Sequence, residues 1–357
     1  MMPERETGKY NREGTVLIEV RHLTKKYGNH TAVDDLSFTV GQGVIYGFLG
    51  PNGAGKSTTM NMITGCLGAT RGEVLIDGHS VAEEPLEAKK HIGYLPEQPP
   101  LYGDMTPEEY LRFVMRAKKV PAALRAEQLR TVMEKTGITG MKDRLIRNLS
   151  KGYRQRVGIA QALVGDPEII ILDEPTVGLD PAQIIEIREL VRELGKDHTI
   201  LLSSHILSEV QAVCDSIMII SGGKLVASDT AENLTTLFAG RSALELEIRA
   251  DREAAAAALE KPDGIESIEW RAGEEGTVRA EIRPADGADP RAAIFFALAE
   301  AKLPLLEMTR TKASLEDVFL ELTGEDAAVP GAERNAAPET EPETAAEPDD
   351  GKEETAE

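Results

Sequence analysis

The sequence of 357 residues predicts an α/β fold: a P-loop core with a parallel sheet, an antiparallel β portion and a helical insert, then a small α+β domain. Residues 50–58 (GPNGAGKST) fit the phosphate-loop pattern G-x-x-x-x-G-K-S/T, between a predicted strand at Val44–Leu49 and a predicted helix at Thr58–Leu67. The aliphatic run Glu168–Asp173 (EIIILD) is typical of a central parallel strand. Helices and strands then alternate, as in a doubly wound sheet, over Pro181–Leu194, Thr199–Ser203, Ser208–Val213 and Ser216–Ile220.

The antiparallel portion is predicted from short alternating segments on either side of the phosphate loop. Residues 1–14 are polar and are predicted to be disordered. Leu23–Ala32 is interpreted as a turn-rich connection, and Asp77-Gly78 as a tight turn. The strands predicted on this basis are Thr15–His22, Leu36–Val40 and Gly72–Asp77.

A mostly helical insert is predicted at about residues 98–152 of a nucleotide-binding domain that spans residues 15–240. Thr106-Pro107-Glu108-Glu109 has the residues of a capped helix start, with Thr106 as the cap and Glu109 three residues later. Pro121 and Gly137–Gly140 divide the insert into two or three helices.

Residues 241–323 are predicted to form a second, smaller domain. Its order of elements, β-α-β-β-α-β, indicates a ferredoxin-like unit with an accessory role, and a last helix at Ser314–Leu322 has Ser314 as its cap. Residues 324–357 are acidic and have few large apolar side chains, so they are predicted to be disordered. The elements assigned to the small domain are Leu244–Arg249, Arg252–Leu259, Ile265–Trp270, Thr277–Ile282, Pro290–Ala301 and Leu305–Thr309.

Composition excludes several classes of protein. The net charge of −21 argues against nucleic acid as the main partner, because phosphate binding needs a basic face. The longest aliphatic run, Ile169–Leu172, is far shorter than the ~20 residues of a membrane span, and the start of the chain has no signal-peptide pattern. Cys66 and Cys214 have no metal-site spacing, so both are predicted to be reduced thiols of a cytosolic protein, with Cys66 buried.

The phosphate loop predicts binding of a nucleoside triphosphate. Its glycines let successive backbone N–H groups point at phosphate oxygens, and the following helix adds a positive dipole. Lys56 is expected to reach the β- and γ-phosphates, and the Ser57 hydroxyl to ligate Mg²⁺. The residues assigned to the nucleotide are Gly50, Pro51, Asn52, Gly53, Ala54, Gly55, Lys56, Ser57 and Thr58.

Two further segments carry chemistry. Asp173 ends the aliphatic strand, where it can hold Mg²⁺ beside the phosphate loop, and Glu174 next to it can activate a water as general base. Asn148–Arg156 (NLSKGYRQR) precedes a helix, and Ser150 with the backbone at Gly152 forms a second anion site there. Taken alone, that segment fits an ordinary capped helix start better.

Together these residues resemble the ATP-binding cassette (ABC) family from Val16 to about Phe238. The phosphate loop corresponds to the family's Walker A motif, Leu149–Tyr153 (LSKGY) stands where the LSGGQ signature belongs, and Asp173-Glu174 ends the Walker B strand. The resemblance implies three further roles. Asp180 would be a nucleotide-facing D-loop residue, His205 would be a switch histidine, and Tyr27 would be an aromatic residue that stacks on adenine.

Two motifs depart from the family pattern. Lys151 and Tyr153 replace signature residues, whereas Ser150 and Gly152 remain. Glu97 stands in register at the Q-loop position, with a catalytic role beside the Mg²⁺ site, but Gln98 follows directly and either side chain can face that site. Both variants, and the ending SLEDVF at residues 314–319, resemble the ATPase subunits of ABC-2 type exporters.

The resemblance implies an ATPase with ATP and Mg²⁺ as cofactors. It also implies a head-to-tail homodimer, in which each ATP lies between the Walker A loop of one copy and Ser150 and Gly152 of the other. A separate multi-span permease is expected, with this chain at the cytoplasmic face of the membrane and no nucleic acid as partner. The alternative is a soluble cassette ATPase without a transport role, which the single cassette and the acidic charge disfavour.

Overall fold

Three β-sheets and the helices packed on them make up the described part of the chain. A computed structural model describes residues 16–237, 243–260, 262–273, 276–285, 288–311 and 315–324. The segments predicted to be disordered, 1–14 and 324–357, lie outside these residues apart from Gly324, and so does the predicted cap Ser314. In the described ranges, none of the helices combines the length and the apolar character that crossing a bilayer requires.

Strands and helices alternate through most of the chain. In chain order the strands are β1 (Val16–Tyr27), β2 (His30–Gly41), β3 (Ile45–Leu49), β4 (Arg71–Ile76), β5 (His79–Ser80), β6 (Ile92–Leu95), β7 (Ile169–Asp173), β8 (Thr199–Ser204), β9 (Ser216–Ser221), β10 (Lys224–Asp229), β11 (Ala243–Ile248), β12 (Ile265–Ala272), β13 (Val278–Pro284) and β14 (Leu305–Thr311). The helices are α1 (Lys56–Ile63), α2 (Pro85–Lys90), α3 (Pro107–Ala117), α4 (Ala122–Lys135), α5 (Lys151–Leu163), α6 (Pro181–Leu194), α7 (Leu207–Val213), α8 (Ala231–Leu237), α9 (Arg252–Leu259), α10 (Arg291–Glu300) and α11 (Leu315–Thr323).

The first sheet is antiparallel, in the order β2-β1-β4-β5. β1 continues to Tyr27 and turns through Gly28, which has φ 57°, into β2 at His30, so the predicted connection over Leu23–Ala32 is wrong. Register shifts on either side of Leu23 interrupt the alternation of inward and outward side chains along β1. The sequence there therefore lacks the period of two that would have predicted a strand. Leu23 is nevertheless fully buried, as a strand residue facing the core is expected to be.

The second sheet confirms the predicted parallel core. Its order is β10-β9-β3-β8-β7-β6, and all neighbours are parallel except the edge pair β10 and β9. Every residue of β7 is buried, because helices and the first sheet cover both faces. Leu49 pairs with Ser204 and Asp173 pairs with Ser203, so β3, β7 and β8 end at one edge. Ligands bind at this carboxyl edge in open α/β sheets.

Helix α1 is shorter than predicted. It runs from Lys56 to Ile63 and ends where the Thr64 hydroxyl donates to the Met60 carbonyl and Gly65 takes a φ of 66°. Leu67 is therefore not part of the helix, and Cys66 is exposed rather than buried as the sequence suggested. A threonine side-chain bond to the carbonyl four residues earlier competes with the backbone hydrogen bonds of a helix.

The helical insert follows the prediction closely. Thr106 caps α3 with a complete capping box, since its hydroxyl accepts from Glu109 N while the Glu109 carboxylate accepts from Thr106 N at 2.9 Å. α4 follows Pro121, and α5 begins directly after Ser150. A core of apolar residues joins these helices to β7 and β8, which fixes the insert on the parallel sheet.

The third sheet has the antiparallel order β12-β13-β11-β14, which is the strand order of a ferredoxin-like unit and confirms that prediction. Residues of α9 and α10 pack on it around Leu246 and Ile282. α11 instead packs against the second sheet region, where Leu315 and Val318 share a buried cluster with Leu49. The chain thus returns to its parallel core after the ferredoxin-like unit.

Candidate active site

The phosphate loop lies between β3 and α1 and is packed too closely for side chains at two of its glycines. A Cβ on Gly55, which has φ 104°, would lie 2.5 Å from the Ala32 carbonyl oxygen. A Cβ on Gly50 would lie 2.5 Å from the Ile220 carbonyl oxygen. The loop therefore depends on glycine both for its left-handed backbone and for its approach to neighbouring backbone.

Lys56 opens α1 and is buried within the loop. Its Nζ donates to the Gly50 carbonyl at 2.9 Å and to the Pro51 carbonyl at 3.2 Å, and it lies 3.5 Å from Glu174 Oε1. Because the side chain is 6% exposed, this charge is held by the fold rather than solvated. A fixed cation at a helix N-terminus is suited to bind phosphate oxygens.

Asp173 ends β7 and accepts two hydroxyl hydrogen bonds on Oδ1, from Ser203 Oγ at 2.5 Å and from Ser57 Oγ at 3.3 Å. Burial raises the pKa of the Asp173 carboxyl above its usual value. A bound divalent cation would favour its ionised form again. A hydroxyl and a carboxylate beside a phosphate loop are the oxygen ligands that Mg²⁺ prefers, so these residues fit that ion.

Glu174 follows Asp173 in a left-handed conformation, with φ 47°. Its amide donates to Ser203 Oγ at 2.9 Å, and its Oε2 lies 2.8 Å from His205 Nδ1. Positive φ is costly for a residue with a Cβ, and such strain persists only where surrounding contacts hold it. The turn directs the carboxylate away from Asp173 and toward Lys56 and His205, as the sequence predicted for two acids with different roles.

A cleft of about 580 Å³ opens above these groups. The predicted site residues that line it are Tyr27, Asn52, Gly53, Gly55, Lys56, Ser57, Thr58, Glu97, Glu174 and His205. Gln98 does not line it, so the geometry favours Glu97 as the residue facing the cleft. The sequence reasoning missed three further lining residues, His30, Ala32 and Val177. Recognising the hairpin turn at Gly28 would have placed His30 opposite Tyr27 and Ala32 two residues further along the same strand.

Comparison with known proteins assigns the family. Residues 33–177 match the family model described as ABC transporter. The chain is 37% identical over 317 residues to an uncharacterized ABC transporter ATP-binding protein, YhcH of Bacillus subtilis, covering 87% of this chain and 96% of that protein. This chain belongs to the ABC transporter ATP-binding proteins. It is also 35% identical to the bacitracin transport ATP-binding protein BcrA of Bacillus licheniformis, covering 98% of BcrA.

Solved structures of ABC cassettes have the same fold. The structure of an ATP-binding subunit of an ABC transporter matches with a TM-score of 0.57 at 34% identity, covering 62% of this chain and 93% of that chain. A nucleotide-free cassette from an ABC transporter matches with a TM-score of 0.56 at 27% identity, covering 63% of this chain and 95% of that chain. This chain is accordingly an ATP-binding, ATP-hydrolysing P-loop cassette.

Ser150 and Gly152, predicted as signature residues, and Asp180, predicted as the D-loop residue, do not line the cleft of their own chain. Ser150 caps α5 by accepting from Tyr153 N, and Gly152 is packed so that a Cβ would lie 2.8 Å from the Gln183 side chain. Asp180 caps α6, with Oδ1 accepting from Gln183 N at 2.9 Å. Each of these residues therefore has a local helix-capping or packing role, and a single chain does not bring them to its own phosphate loop.

Proposed function

We propose that this chain is the ATP-hydrolysing subunit of an ABC-2 type exporter. The proposal is supported by relatives that match over nearly their whole length and carry transport or resistance names, BcrA and the linearmycin resistance ATP-binding protein LnrL of Bacillus subtilis. LnrL is 31% identical over 312 residues and is covered to 98%. The chain would act at the cytoplasmic face of the membrane, with a separate multi-span permease that carries the substrate site.

The nucleotide would lie in the cleft with its adenine on Tyr27, which is half exposed, and its phosphates on the loop from Gly50 to Thr58. Ser57 and Asp173 would hold Mg²⁺, with Glu97 facing it from the β6 side. Mg²⁺ supplies charge neutralisation on the phosphates when bound.

Hydrolysis is assigned to the pair Glu174 and His205. The Glu174 carboxylate would accept the proton of the attacking water, and His205, 2.8 Å away, would hold that carboxylate in place. Lys56 would neutralise charge on the transferring phosphoryl group. The 2.8 Å contact beside the phosphate loop is the observation that carries the proposed reaction.

The position of the predicted signature residues supports a homodimer. Ser150 and Gly152 lie outside their own cleft, so we propose that they complete the cleft of a second copy, with Asp180 at the same seam. Residues 15–240 would form this dimerising cassette, and residues 241–323 an accessory domain. ATP would close the dimer, and hydrolysis would reopen it.

The test is recovery of the permease. Tagged Glu174→Gln chain is purified from detergent-solubilised membranes with and without MgATP, with Lys56→Ala as the matched variant that cannot hold nucleotide. We expect a stoichiometric multi-span membrane protein to accompany the tagged chain. Recovery of a soluble partner alone would replace the exporter role with that of a soluble cassette ATPase.

A further inference from the structure

A buried carboxylate that the proposed reaction does not use lies next to the catalytic pair. Glu209, in the first turn of α7, is 4% exposed and does not line the cleft. Glutamate is rarely buried to this extent unless its carboxylate is paired or hydrogen-bonded. Glu209 and Arg188 line one small pocket together with Thr176.

Two hydroxyl groups, from different segments, donate to this carboxylate. Thr176 Oγ1 lies 2.5 Å from Glu209 Oε2, and Ser204 Oγ lies 3.1 Å from the same oxygen. Ser204 Oγ also accepts from Ile206 N at 3.0 Å, so its hydroxyl is oriented toward the carboxylate. Hydrogen bonds to an ionised acceptor are among the stronger ones in proteins.

The two donors are placed beside the two members of the catalytic pair. Thr176 lies two residues after Glu174, and Ser204 directly precedes His205. The carboxylate of Glu209 therefore ties the segment that carries the proposed base to the segment that carries its histidine. Ser203 makes a second tie, donating to Asp173 and accepting from the Glu174 amide.

We infer that Glu209 is a positioning residue for ATP hydrolysis, which sets the 2.8 Å approach of Glu174 and His205 through Thr176 and Ser204. The inference rests on the proposed function, because it assigns Glu209 to the geometry of that reaction. Glu209 touches no phosphate-loop residue through these bonds. Its loss should therefore affect the chemical step and leave nucleotide binding unchanged.

The experiment measures kcat, ATP dissociation constant and thermal midpoint on full-length variants. Glu209→Gln keeps the shape but removes the charge, and Thr176→Val keeps the shape but removes one donor. Both should lower kcat by about tenfold or more, since small misplacements of catalytic groups reduce rates strongly. Thr176→Ser restores the hydroxyl and should restore kcat. Thr136→Val removes a buried hydroxyl of the helical insert and is the control.

The inference is supported if kcat falls in Glu209→Gln and Thr176→Val while ATP affinity and the thermal midpoint stay near those of Thr136→Val. It is overturned if Thr176→Val turns over like Thr176→Ser, or if kcat, affinity and midpoint all fall together. Glu174→Gln in the same assay separates a failure of the positioning role of Glu209 from a failure of the base role of Glu174. An inactive Glu174→Gln with an active Glu209→Gln rejects only the positioning role, whereas an active Glu174→Gln rejects the assigned base itself.

Discussion

Hydroxyl groups organise the acidic residues of this site. The Ser203 hydroxyl donates to the Asp173 carboxylate at 2.5 Å and accepts from the Glu174 amide at 2.9 Å. Asp173 and Glu174 were predicted from sequence because a recognisable aliphatic strand ends there, and His205 was predicted from the resemblance to the ABC family. Ser203 was not, because its role depends on the pairing of β8 with β7, and the sequence of β8 itself contains no sign of that neighbour.

Substitution of Glu97 tests whether this residue, and not Gln98, faces the proposed Mg²⁺ site. The cleft is lined by Glu97 and not by its neighbour Gln98. If Glu97 faces bound Mg²⁺, Glu97→Ala should raise the Mg²⁺ concentration needed for half-maximal ATPase activity by about tenfold, as loss of residues around a metal commonly does. Gln98→Ala, the control, should leave it unchanged. A dependence on Gln98 instead would reverse the assignment.

Elements with strong periodicity were predicted with their bounds nearly correct, and interrupted elements were not. The bounds of α6 and α9 agree with prediction, since proline or aspartate marks each start and an apolar face fills each helix. β1 was cut short because its bulges break the alternation. The predicted end of α1 was too late in the chain, because the apolar pattern does not show that the Thr64 hydroxyl donates to the Met60 carbonyl where the helix ends.

The two cysteines are expected to differ in their reactivity toward alkylating reagents, because their environments differ. Cys66 lies past the helix and is exposed, whereas the Cys214 sulfur packs against β3, 3.0 Å from where a Cβ on Gly47 would lie. Burial of its sulfur raises the pKa of the Cys214 thiol, so less of the reactive thiolate forms at neutral and mildly alkaline pH. Iodoacetamide should therefore modify Cys66 faster than Cys214 in the folded chain, as read by peptide mass. Equal labelling of both cysteines would contradict this.

The same shift has a consequence for stability. The folded chain holds the Cys214 proton more tightly than the unfolded chain does. The free energy of unfolding is therefore unaffected by this group at neutral pH and falls as pH rises into the alkaline range, where the unfolded chain loses the proton first. Cys214→Ala should therefore weaken the alkaline fall in unfolding free energy, measured by denaturant titration at several pH values. An unaltered pH dependence would contradict the assignment.

At the scale of the whole molecule, α11 links the C-terminal part of the chain to the nucleotide site. Leu315 and Val318 share a buried cluster with Leu49, which precedes the phosphate loop, and with Leu207 and Val210 of α7. The sequence predicted the helix itself. It could not predict where the helix packs, because an apolar helix face fits either the ferredoxin-like sheet or the cassette.

This packing predicts a matched pair of effects within α11. Leu315 is 2% exposed, and Leu320 is 48% exposed. Leu315→Ala should lower the unfolding free energy by about 2–5 kcal/mol, and Leu320→Ala should change it by no more than about 0.5 kcal/mol. Denaturant unfolding of both variants measures the difference. Similar costs at the two positions would contradict the placement of α11 on the cassette.

We propose that each ATP site is shared between two copies of this chain, because Ser150 and Gly152 do not line the cleft of their own chain. The most direct measurement is the molar mass of the Glu174→Gln chain in solution by light scattering, with and without MgATP. The Glu174→Gln chain should be a monomer without nucleotide and a dimer with MgATP. Neither Lys56→Ala nor Ser150→Arg should form an ATP-dependent dimer. A Glu174→Gln chain that binds ATP and remains a monomer would contradict it.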